Sequence, residues 1–239
     1  TAAGDYTIGR FLDGAGYFNG QLDELIVYDY AITEDDINKY YNQDMGRVAY
    51  WKMENNWQDS SGNNKNLTAS GAAFSADSKV WAGAAKFDGV DDYADAGTWF
   101  NYQTFSIAMW VNPGATQVQY AEIIDNNHTD YRSWVLQQNS TNTNQYYWAL
   151  KDNSASTPYL NGVSFSLPPN KWTHIAITRD GNTRENIVYI NGSPLPTFIG
   201  TGAVIYDGTQ FFRLSRWGGG GRNWNGLMDD VAVYNRALA

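Results

Sequence analysis

The stretch Thr104-Phe-Ser-Ile-Ala-Met-Trp-Val-Asn112 has the two-residue period of a β-strand. Successive side chains of a strand point to opposite faces, so alternate positions share a face. Large apolar side chains occupy one of these faces: Phe105, Ile107, Met109 and Val111. The stretch therefore predicts a strand that buries one face in a core, as in a sandwich of two sheets.

Short patterns of the same kind recur along most of the chain, separated by turns rich in Asn, Ser, Thr and Gly. The dipeptide Asn191-Gly192 is a hairpin signal between two of them. Strands are predicted at 48–53, 121–125, 133–138, 146–150, 171–178, 186–192, 211–215 and 228–234, and a strand, a tight turn and a second strand at 85–93. Many short strands with almost no helix predict an all-β fold, an antiparallel two-sheet sandwich.

One stretch of the sequence occurs twice. Asn19–Thr33 and Asn225–Ala239 share Asn, Gly, Asp, Val, Tyr and Ala at matching places, at an offset of 206 residues. Duplication at a fixed offset indicates a repeat architecture. We therefore expect residues 1–45 to be the closing strands and connector helix of a preceding repeat, and residues 46–239 to be one full domain. The helix is predicted from Thr33, where a hydroxyl precedes three acidic residues, to about Gln43.

The N-terminal piece poses a physical problem, because two strands and a helix cannot bury their apolar faces alone. Three arrangements are open. The segment completes the sandwich of a neighbouring molecule by strand addition, packs on its own chain, or is part of a continuous tandem array. We expect a partner in another molecule or another repeat.

Charge and composition exclude some partners. The formal net charge of -9 repels polyphosphate, so nucleic acid is not expected as a partner. A cationic ligand, or a metal held by carboxylates, fits better. There is no cysteine, which excludes disulfides and thiolate metal sites. No apolar run approaches the roughly 20 residues that span a bilayer, so membrane insertion is not expected.

A set of motifs in a fixed order resembles one family. The motifs are Tyr50-Trp51, Asp59–Asn63, Phe87–Tyr93, Phe105–Trp110, Trp172–Ala176, Tyr189–Gly192 and Gly226–Leu238. In order and spacing they resemble the laminin G-like, concanavalin A-like jelly-roll domains of bacterial and archaeal surface proteins. The resemblance implies a jelly roll of two antiparallel sheets, often with one calcium ion, and a secreted or cell-surface role in adhesion or glycan binding.

Calcium prefers six to eight oxygen ligands from carboxylates, carbonyls and amides. Asp59, Gly62 and Asn64 supply that mixture in an early loop. The resemblance places this loop beside the last strand, so Asp229 is the expected fourth member of a structural calcium site. The alternative is that Asp59 orders a turn and Asp229 caps a strand end. A second acidic cluster around Gly89 is better explained as a hairpin turn.

Glycan binding needs an aromatic platform with polar groups beside it, usually on loops. Tyr131, Trp217 and Trp224 are the candidate aromatic residues, and Asn127 is a polar companion. Gly218–Gly221 lies between the two tryptophans. The alternative is that these aromatic side chains fill the sandwich core.

Enzyme activity is not predicted. Glucanases of this fold resemble one another in a Glu-x-Asp-x-Glu strand, which presents two carboxylates on one face, and that stretch is absent here. Asp229 and Asp230 are adjacent, so a regular strand would direct them to opposite faces. Asn66, Asn127 and Asn139 lie in sequons and are candidate glycosylation sites.

These observations predict a non-catalytic extracellular repeat module of a surface, adhesin or filament-forming protein. It would assemble end to end with neighbouring copies or adjacent repeats through its N-terminal strands. The alternative is a calcium-dependent glycan-binding module appended to an enzyme or adhesin.

Overall fold

The computed structural model describes residues 8, 16–20, 25, 27–33, 37, 46–127, 133–139, 144–151 and 160–238. The chain divides into two compact units, Thr1–Gln43 and Asp44–Ala239. Most of the predicted N-terminal strands and connector helix lie outside the described residues. Ile37 is helical, and its amide donates a hydrogen bond to the Thr33 carbonyl at 3.0 Å. The expectation of an external partner for this unit stays a prediction.

The larger unit is built from strands. Their bounds are β1 Arg47–Trp51, β2 Thr68–Ser70, β3 Ala73–Ser75, β4 Ala84–Asp88, β5 Tyr93–Asp95, β6 Phe105–Pro113, β7 Glu122–Asn127, β8 Ser133–Gln138, β9 Gln145–Lys151, β10 Leu160–Ser166, β11 Thr173–Arg179, β12 Glu185–Ile190, β13 Ser193–Pro194, β14 Phe198–Ile199, β15 Arg213–Leu214 and β16 Asn225–Tyr234. All pairings between these strands are antiparallel. The predicted all-β fold with two antiparallel sheets is confirmed.

Nine strands form one sheet, in the order β13-β12-β11-β6-β16-β4-β3, with β1 also paired to β16 and β14 to β12. The C-terminal strand β16 is central to this sheet. It pairs with β6 along one side, and with β4 and then β1 along the other. The duplicated stretch at the C-terminus therefore supplies a strand that three others need.

Seven strands form the second sheet, in the order β10-β9-β8-β7-β15-β5-β2. We call the face of each sheet that contacts the other sheet the inner face, and the opposite one the outer face. A β-bulge interrupts the pairing of β7 with β8 between Glu122 and Ile124. Because of this bulge, Ile123 and Ile124 both reach the core.

Aromatic and aliphatic side chains fill the space between the sheets. The four apolar residues of β6 predicted to share a face are all fully buried. Trp134 and Trp148 lie side by side with ring centroids 5.3 Å apart, and Phe100 meets Trp134 edge-on at 5.1 Å. Burial of large rings supplies much of the stabilisation of such a core.

The sequence pattern did not predict β2, β3 and β10, nor the two-residue strands β13 and β14. β2 and β3 have three residues each and are too short to show a period. No helix among the described residues is long and apolar enough to cross a membrane.

Candidate functional site

Two carboxylates lie together on the outer face of the seven-stranded sheet. Glu122 pairs with Gln137 across the sheet, and Asp125 pairs with Val135. In a regular strand, positions 122 and 125 would face opposite ways, but the bulge of β7 turns both outward. Both are completely buried. Sequence reasoning missed this pair because the bulge has no signature in the sequence.

Burial raises the pKa of Glu122 to about 7, and the positive charges of Arg222 and Arg213 oppose this rise. Arg222 Nη1 lies 3.6 Å from Glu122 Oε1, within ion-pair distance. In the described part of the chain, no group donates a geometrically good hydrogen bond to either Glu122 oxygen. The guanidinium is thus the main counterion of a buried acid.

Two aromatic rings hold the Arg222 side chain in place. Its guanidinium carbon lies 4.4 Å from the Trp217 ring centroid and 5.1 Å from that of Tyr120. The backbone is also fixed, because the Glu122 amide donates a hydrogen bond to the Arg222 carbonyl at 2.8 Å. Arg222 and Tyr120 both have positive φ angles, of 54° and 60°. Strained backbone of this kind often occurs at binding sites.

The glycine run after Trp217 forms a closed turn. Gly220 N donates to Trp217 O at 2.8 Å, and Trp217 N donates to Gly221 O at 3.2 Å. A Cβ on Gly219 would lie 2.5 Å from the Trp217 ring. Only glycine allows this close approach, and the turn keeps the half-buried indole against Arg222.

A polar cavity of about 270 Å³ lies beside this turn. Arg216 covers the Tyr93 ring within it, with 4.3 Å from the guanidinium carbon to the ring centroid. The cavity is lined by Ser70, Val90, Asp91, Tyr93, Arg216, Gly221 and Asn223. Asn223 fixes its floor by donating to the carbonyls of Asp92 and Ser215 at 2.9 and 3.1 Å. We call the set Tyr93, Tyr120, Arg216, Trp217 and Arg222 the arginine–aromatic face.

The predicted ligand-binding residues fall in different places. Trp217 belongs to the arginine–aromatic face. Trp224 does not: it has no exposed surface and packs in the core, its Nε1 3.4 Å from the Tyr146 hydroxyl. The prediction that Trp224 binds ligand is therefore corrected. Tyr131 lies outside the described residues, and Asn127 ends β7, with its side chain not described.

The predicted calcium residues lie in separate hydrogen-bond networks. The Asp59 carboxylate accepts bonds of 2.8–2.9 Å from the amides of Tyr50, Ser61 and Lys65 and from the Ser61 hydroxyl. Burial opposes its ionisation, but these bonds outweigh burial and lower the pKa of Asp59. Hydrogen bonds from four donors occupy both oxygens of this carboxylate. Asp59 therefore stabilises the turn and has no oxygen left to coordinate a metal ion. Gly62 and Asn64 are exposed turn residues with φ of 84° and 57°.

Asp229 is better suited to a cation. It is completely buried, and its Oδ2 accepts hydrogen bonds from the amides of Lys79 and Val80 at 2.8 and 2.7 Å. Its Oδ1 has no hydrogen-bond partner among the residues that the structure describes. Burial, with smaller contributions from the charges of Asp230 and Glu54, raises the pKa of Asp229 to about 6 against the lowering effect of the two amide hydrogen bonds. A buried unpaired oxygen among like charges is an arrangement that a bound cation would relieve.

A second bulge changes the geometry of the adjacent acids. The pairing of β16 with β6 is interrupted between Asp229 and Ala232, and Asp230 has a φ of 54°. Asp230 accepts a hydrogen bond from the hydroxyl of Tyr50, which lies on the outer face like Asp229. The expectation that the two carboxylates face opposite ways is wrong, because it assumed a regular strand.

The acidic cluster of Asp88, Asp91 and Asp92 orders its own turn. Asp88 Oδ1 accepts from the Val90 amide at 2.8 Å, and Asp92 Oδ2 accepts from the Asp88 amide at 2.9 Å. Gly89 in this turn has a φ of 78°. The carboxylates lie within 4.8 Å of one another. These contacts agree with the hairpin-turn interpretation.

The glycosylation candidates stay predictions. Asn66 is exposed, and its side-chain oxygen accepts a hydrogen bond from the Asp59 amide at 2.8 Å. Asn139 is half-buried at the end of β8, where its amide bonds to the Gln145 carbonyl at 2.7 Å.

The two sheets and their strand order define a jelly-roll sandwich domain. The chain belongs to the concanavalin A-like lectin/glucanases superfamily, since the laminin G-type model of that family matches residues 87–239.

Solved structures share the fold. One is domain 4 of AbnA, a GH43 extracellular arabinanase from Geobacillus stearothermophilus, in complex with arabinotriose. It has a TM-score of 0.62 and 18% identity over 81% of this chain and 94% of that one. Another is the binding domain of Paraclostridial Mosquitocidal Protein 1, with a TM-score of 0.65 and 18% identity over 81% of this chain. A third is the binding domain of botulinum neurotoxin DC in complex with SialylT, with a TM-score of 0.61 and 17% identity over 82% of this chain.

The chain spans about half of each toxin binding domain, 50% and 49%. At these identities the likeness shows the fold alone. The laminin G-like family and the jelly-roll fold predicted from the sequence motifs are confirmed.

Proposed function

We propose that the domain is a non-catalytic glycan-binding module of a secreted or cell-surface protein, and that the arginine–aromatic face is its binding site. The observation that carries this proposal is the Arg222 guanidinium held between Trp217 and Tyr120, above Glu122. Domains of this fold bind arabinotriose in one case and SialylT in another, according to their structures. Those ligands support the class of partner and do not identify the ligand here.

The chemistry of the face suits a sugar. A sugar ring has apolar C–H faces, which stack on aromatic rings, and a rim of hydroxyl groups, which need donors and acceptors. Trp217 and Tyr93 supply half-buried rings. Arg216 has no ion pair among the described residues, so its guanidinium hydrogens are available to hydroxyl or carboxylate oxygens.

The buried carboxylates Glu122 and Asp125 lie beneath the arginine–aromatic face, and we assign them no catalytic role. Glu122 and Asp125 are completely buried, so a substrate bond on the surface has no direct access to either. Glycoside hydrolysis needs two carboxylates that flank the scissile bond. We therefore assign Glu122 the role of holding the Arg222 guanidinium in its orientation, and we expect no hydrolysis of bound glycans.

Glycan-array screening followed by calorimetry tests the proposal. The array should include arabinotriose and sialylated oligosaccharides. Trp217→Ala and Arg216→Ala should each weaken binding of the best glycan at least about tenfold, because each removes a stacking plane or a charged donor. Trp81→Ala is the matched control, since Trp81 is 72% exposed on a different loop. Equal affinity of wild type, Trp217→Ala and Arg216→Ala would contradict the proposal.

A second candidate function rests on the duplicated stretch. Its two copies at an offset of 206 residues support a repeat module that joins neighbouring copies or adjacent repeats through the N-terminal strands. Light scattering of the purified chain over a range of concentrations tests this role. Growth of mass with concentration supports end-to-end assembly, and a constant monomer mass argues against assembly between molecules.

Binding of a structural calcium ion remains a proposal, and the carboxylate that would bind the ion is Asp229, not Asp59. The unpaired Oδ1 of Asp229 supports a cation there, and the carboxylates of Glu54 and Asp230 are the charges that it would offset. When bound, the ion would join the last strand to the loop that carries Lys79 and Val80. This role is structural, since the arginine–aromatic face belongs to the other sheet.

A further inference from the structure

A polar cavity lies on the outer face of the nine-stranded sheet, and none of its lining residues belongs to the arginine–aromatic face. It has a volume of about 340 Å³, within the range of small-ligand sites of roughly 300–1,000 Å³. We call it the asparagine pocket, after a lining that includes Asp77, Lys86, Asn112, Asn170, Asn225 and Leu227. We propose that the asparagine pocket is a second saccharide-binding site, specific for a neutral sugar.

The floor of the pocket is a row across three adjacent strands. Lys86 on β4 pairs with Leu227 on β16, which pairs with Asn112 on β6. Leu227 is half-buried and gives the centre of the floor an apolar surface. An apolar centre flanked by polar side chains is complementary to a sugar ring, whose C–H face is bordered by hydroxyl groups.

The polar groups of the lining are available to a ligand. No hydrogen bond occupies the side chains of Lys86, Asn112 or Asn170 among the described residues. Each side-chain amide offers both donors and an acceptor, so it can bond to neighbouring hydroxyl groups in either sense. Asp77 is held over the pocket, where its Oδ1 accepts a hydrogen bond from Trp172 Nε1 at 3.2 Å.

One wall of the pocket is rigid. The backbone amide of Asn225 bonds to Gln117 Oε1 at 2.9 Å, its carbonyl accepts from Gln117 Nε2 at 2.6 Å, and its side-chain amide donates to the Thr116 carbonyl at 3.1 Å. Gly114 and Gly89 pack so tightly on Asn225 that an added Cβ would lie 2.7 and 2.8 Å from it. A preformed wall lowers the entropy loss on binding.

Charge indicates the class of ligand. Lys86 and Asp77 carry opposite charges, and the three asparagines carry none, so the side chains that line the pocket sum to no net charge. A neutral polyhydroxyl ligand fits this balance better than an acidic or a basic one. The arginine–aromatic face differs, because Arg216 and Arg222 give it cationic donors. The proposal is independent of that face, since the two sites share no lining residue.

Nuclear magnetic resonance of the full chain tests the pocket. The probes are arabinotriose and a panel of neutral mono- and disaccharides, each titrated to millimolar concentration. We expect shifts of the side-chain amide signals of Asn112 and Asn170. Asn112→Ala and Lys86→Ala should weaken this binding about tenfold each, as expected for the loss of one hydrogen bond to a sugar hydroxyl.

Two controls separate this pocket from the first site. Asn182→Ala removes an exposed asparagine in a turn distant in sequence and should change nothing. Trp217→Ala should leave the Asn112 and Asn170 shifts intact even where it abolishes binding at the arginine–aromatic face. The proposal is overturned if no neutral saccharide of the panel shifts these amides, or if Asn112→Ala and Lys86→Ala bind as wild type does.

Discussion

Replacement of Glu122 by Gln should change how the stability of the domain depends on pH. Burial in the folded state raises the pKa of this carboxyl from its ordinary value of 4.5 to about 7. The folded state therefore binds a proton that the unfolded state has already lost. Stability is highest below the unfolded pKa, falls as the pH rises from about 4.5 to 7, and then levels off.

The size of the effect follows from the same pKa values. A rise from 4.5 to about 7 corresponds to a loss of about 3 kcal/mol in the free energy of unfolding across that range. Glu122→Gln cannot ionise, so it should lose less stability than wild type between these limits. The buried Asp229, whose pKa is also raised, should cause part of the remaining slope in both proteins.

Urea unfolding near pH 5 and near pH 8, followed by tryptophan fluorescence, measures the difference. Glu185→Gln is the matched control. Because Glu185 is exposed at the start of β12, this variant should have the same pH dependence of stability as wild type. Equal losses of stability in wild type and Glu122→Gln between the two pH values would refute the assignment of Glu122 as a buried acid held by Arg222.

Three further comparisons test the cation site, the core and the wall of the asparagine pocket. Asp229→Asn should abolish any rise of Tm on addition of calcium, whereas Asp59→Asn should retain that rise and lower the Tm by loss of turn hydrogen bonds. Trp224→Ala should lower the free energy of unfolding by about 3–5 kcal/mol, and Trp217→Ala by much less, since only the first is fully buried. Gly114→Ala should cost about 1–3 kcal/mol, because the added Cβ would lie 2.7 Å from a side-chain amide nitrogen.

Each of these expectations can fail separately. A calcium-dependent Tm in Asp229→Asn would place the ion elsewhere, and EDTA without effect on wild type would argue against structural calcium. Similar losses in Trp224→Ala and Trp217→Ala would contradict their different burial. A Gly114→Ala protein as stable as wild type would show that the wall of the asparagine pocket can move.

The parts of the fold with a regular period could be predicted from the sequence. β6 alternates without interruption, and its buried face is the predicted one. β8 has the predicted bounds, Ser133–Gln138. Such strands have one face against the core, so every second residue of the strand must be apolar.

The candidate site depends on features that a period cannot show. Glu122 and Asp125 share a face only because of a bulge, and a bulge at Asp230 likewise sets the positions of Asp229 and Asp230. Bulges shift the register by one residue and often lie next to functional sites. A prediction that assumes strict alternation therefore assigns the carboxylates of the candidate sites to the wrong faces.

The two tryptophans that flank the glycine run show a second limit. Trp217 and Trp224 lie on either side of the same glycine run, yet one is half-buried in a turn and the other is in the core. Tertiary packing decides between them, since both residues suit a strand-rich domain. The sequence pattern predicted the last strand only from residue 228, whereas β16 begins at Asn225, directly after Trp224.

The most direct test of the central claim is to observe the arginine–aromatic face while a glycan binds. The chain has 10 tryptophans, and the indole N–H signals of a ¹⁵N-labelled sample can be assigned by substitution. On titration with the best glycan from the array, we expect the Trp217 indole signal to shift in proportion to occupancy while that of Trp81 stays in place. Saturable binding that leaves the Trp217 signal unchanged would contradict the account.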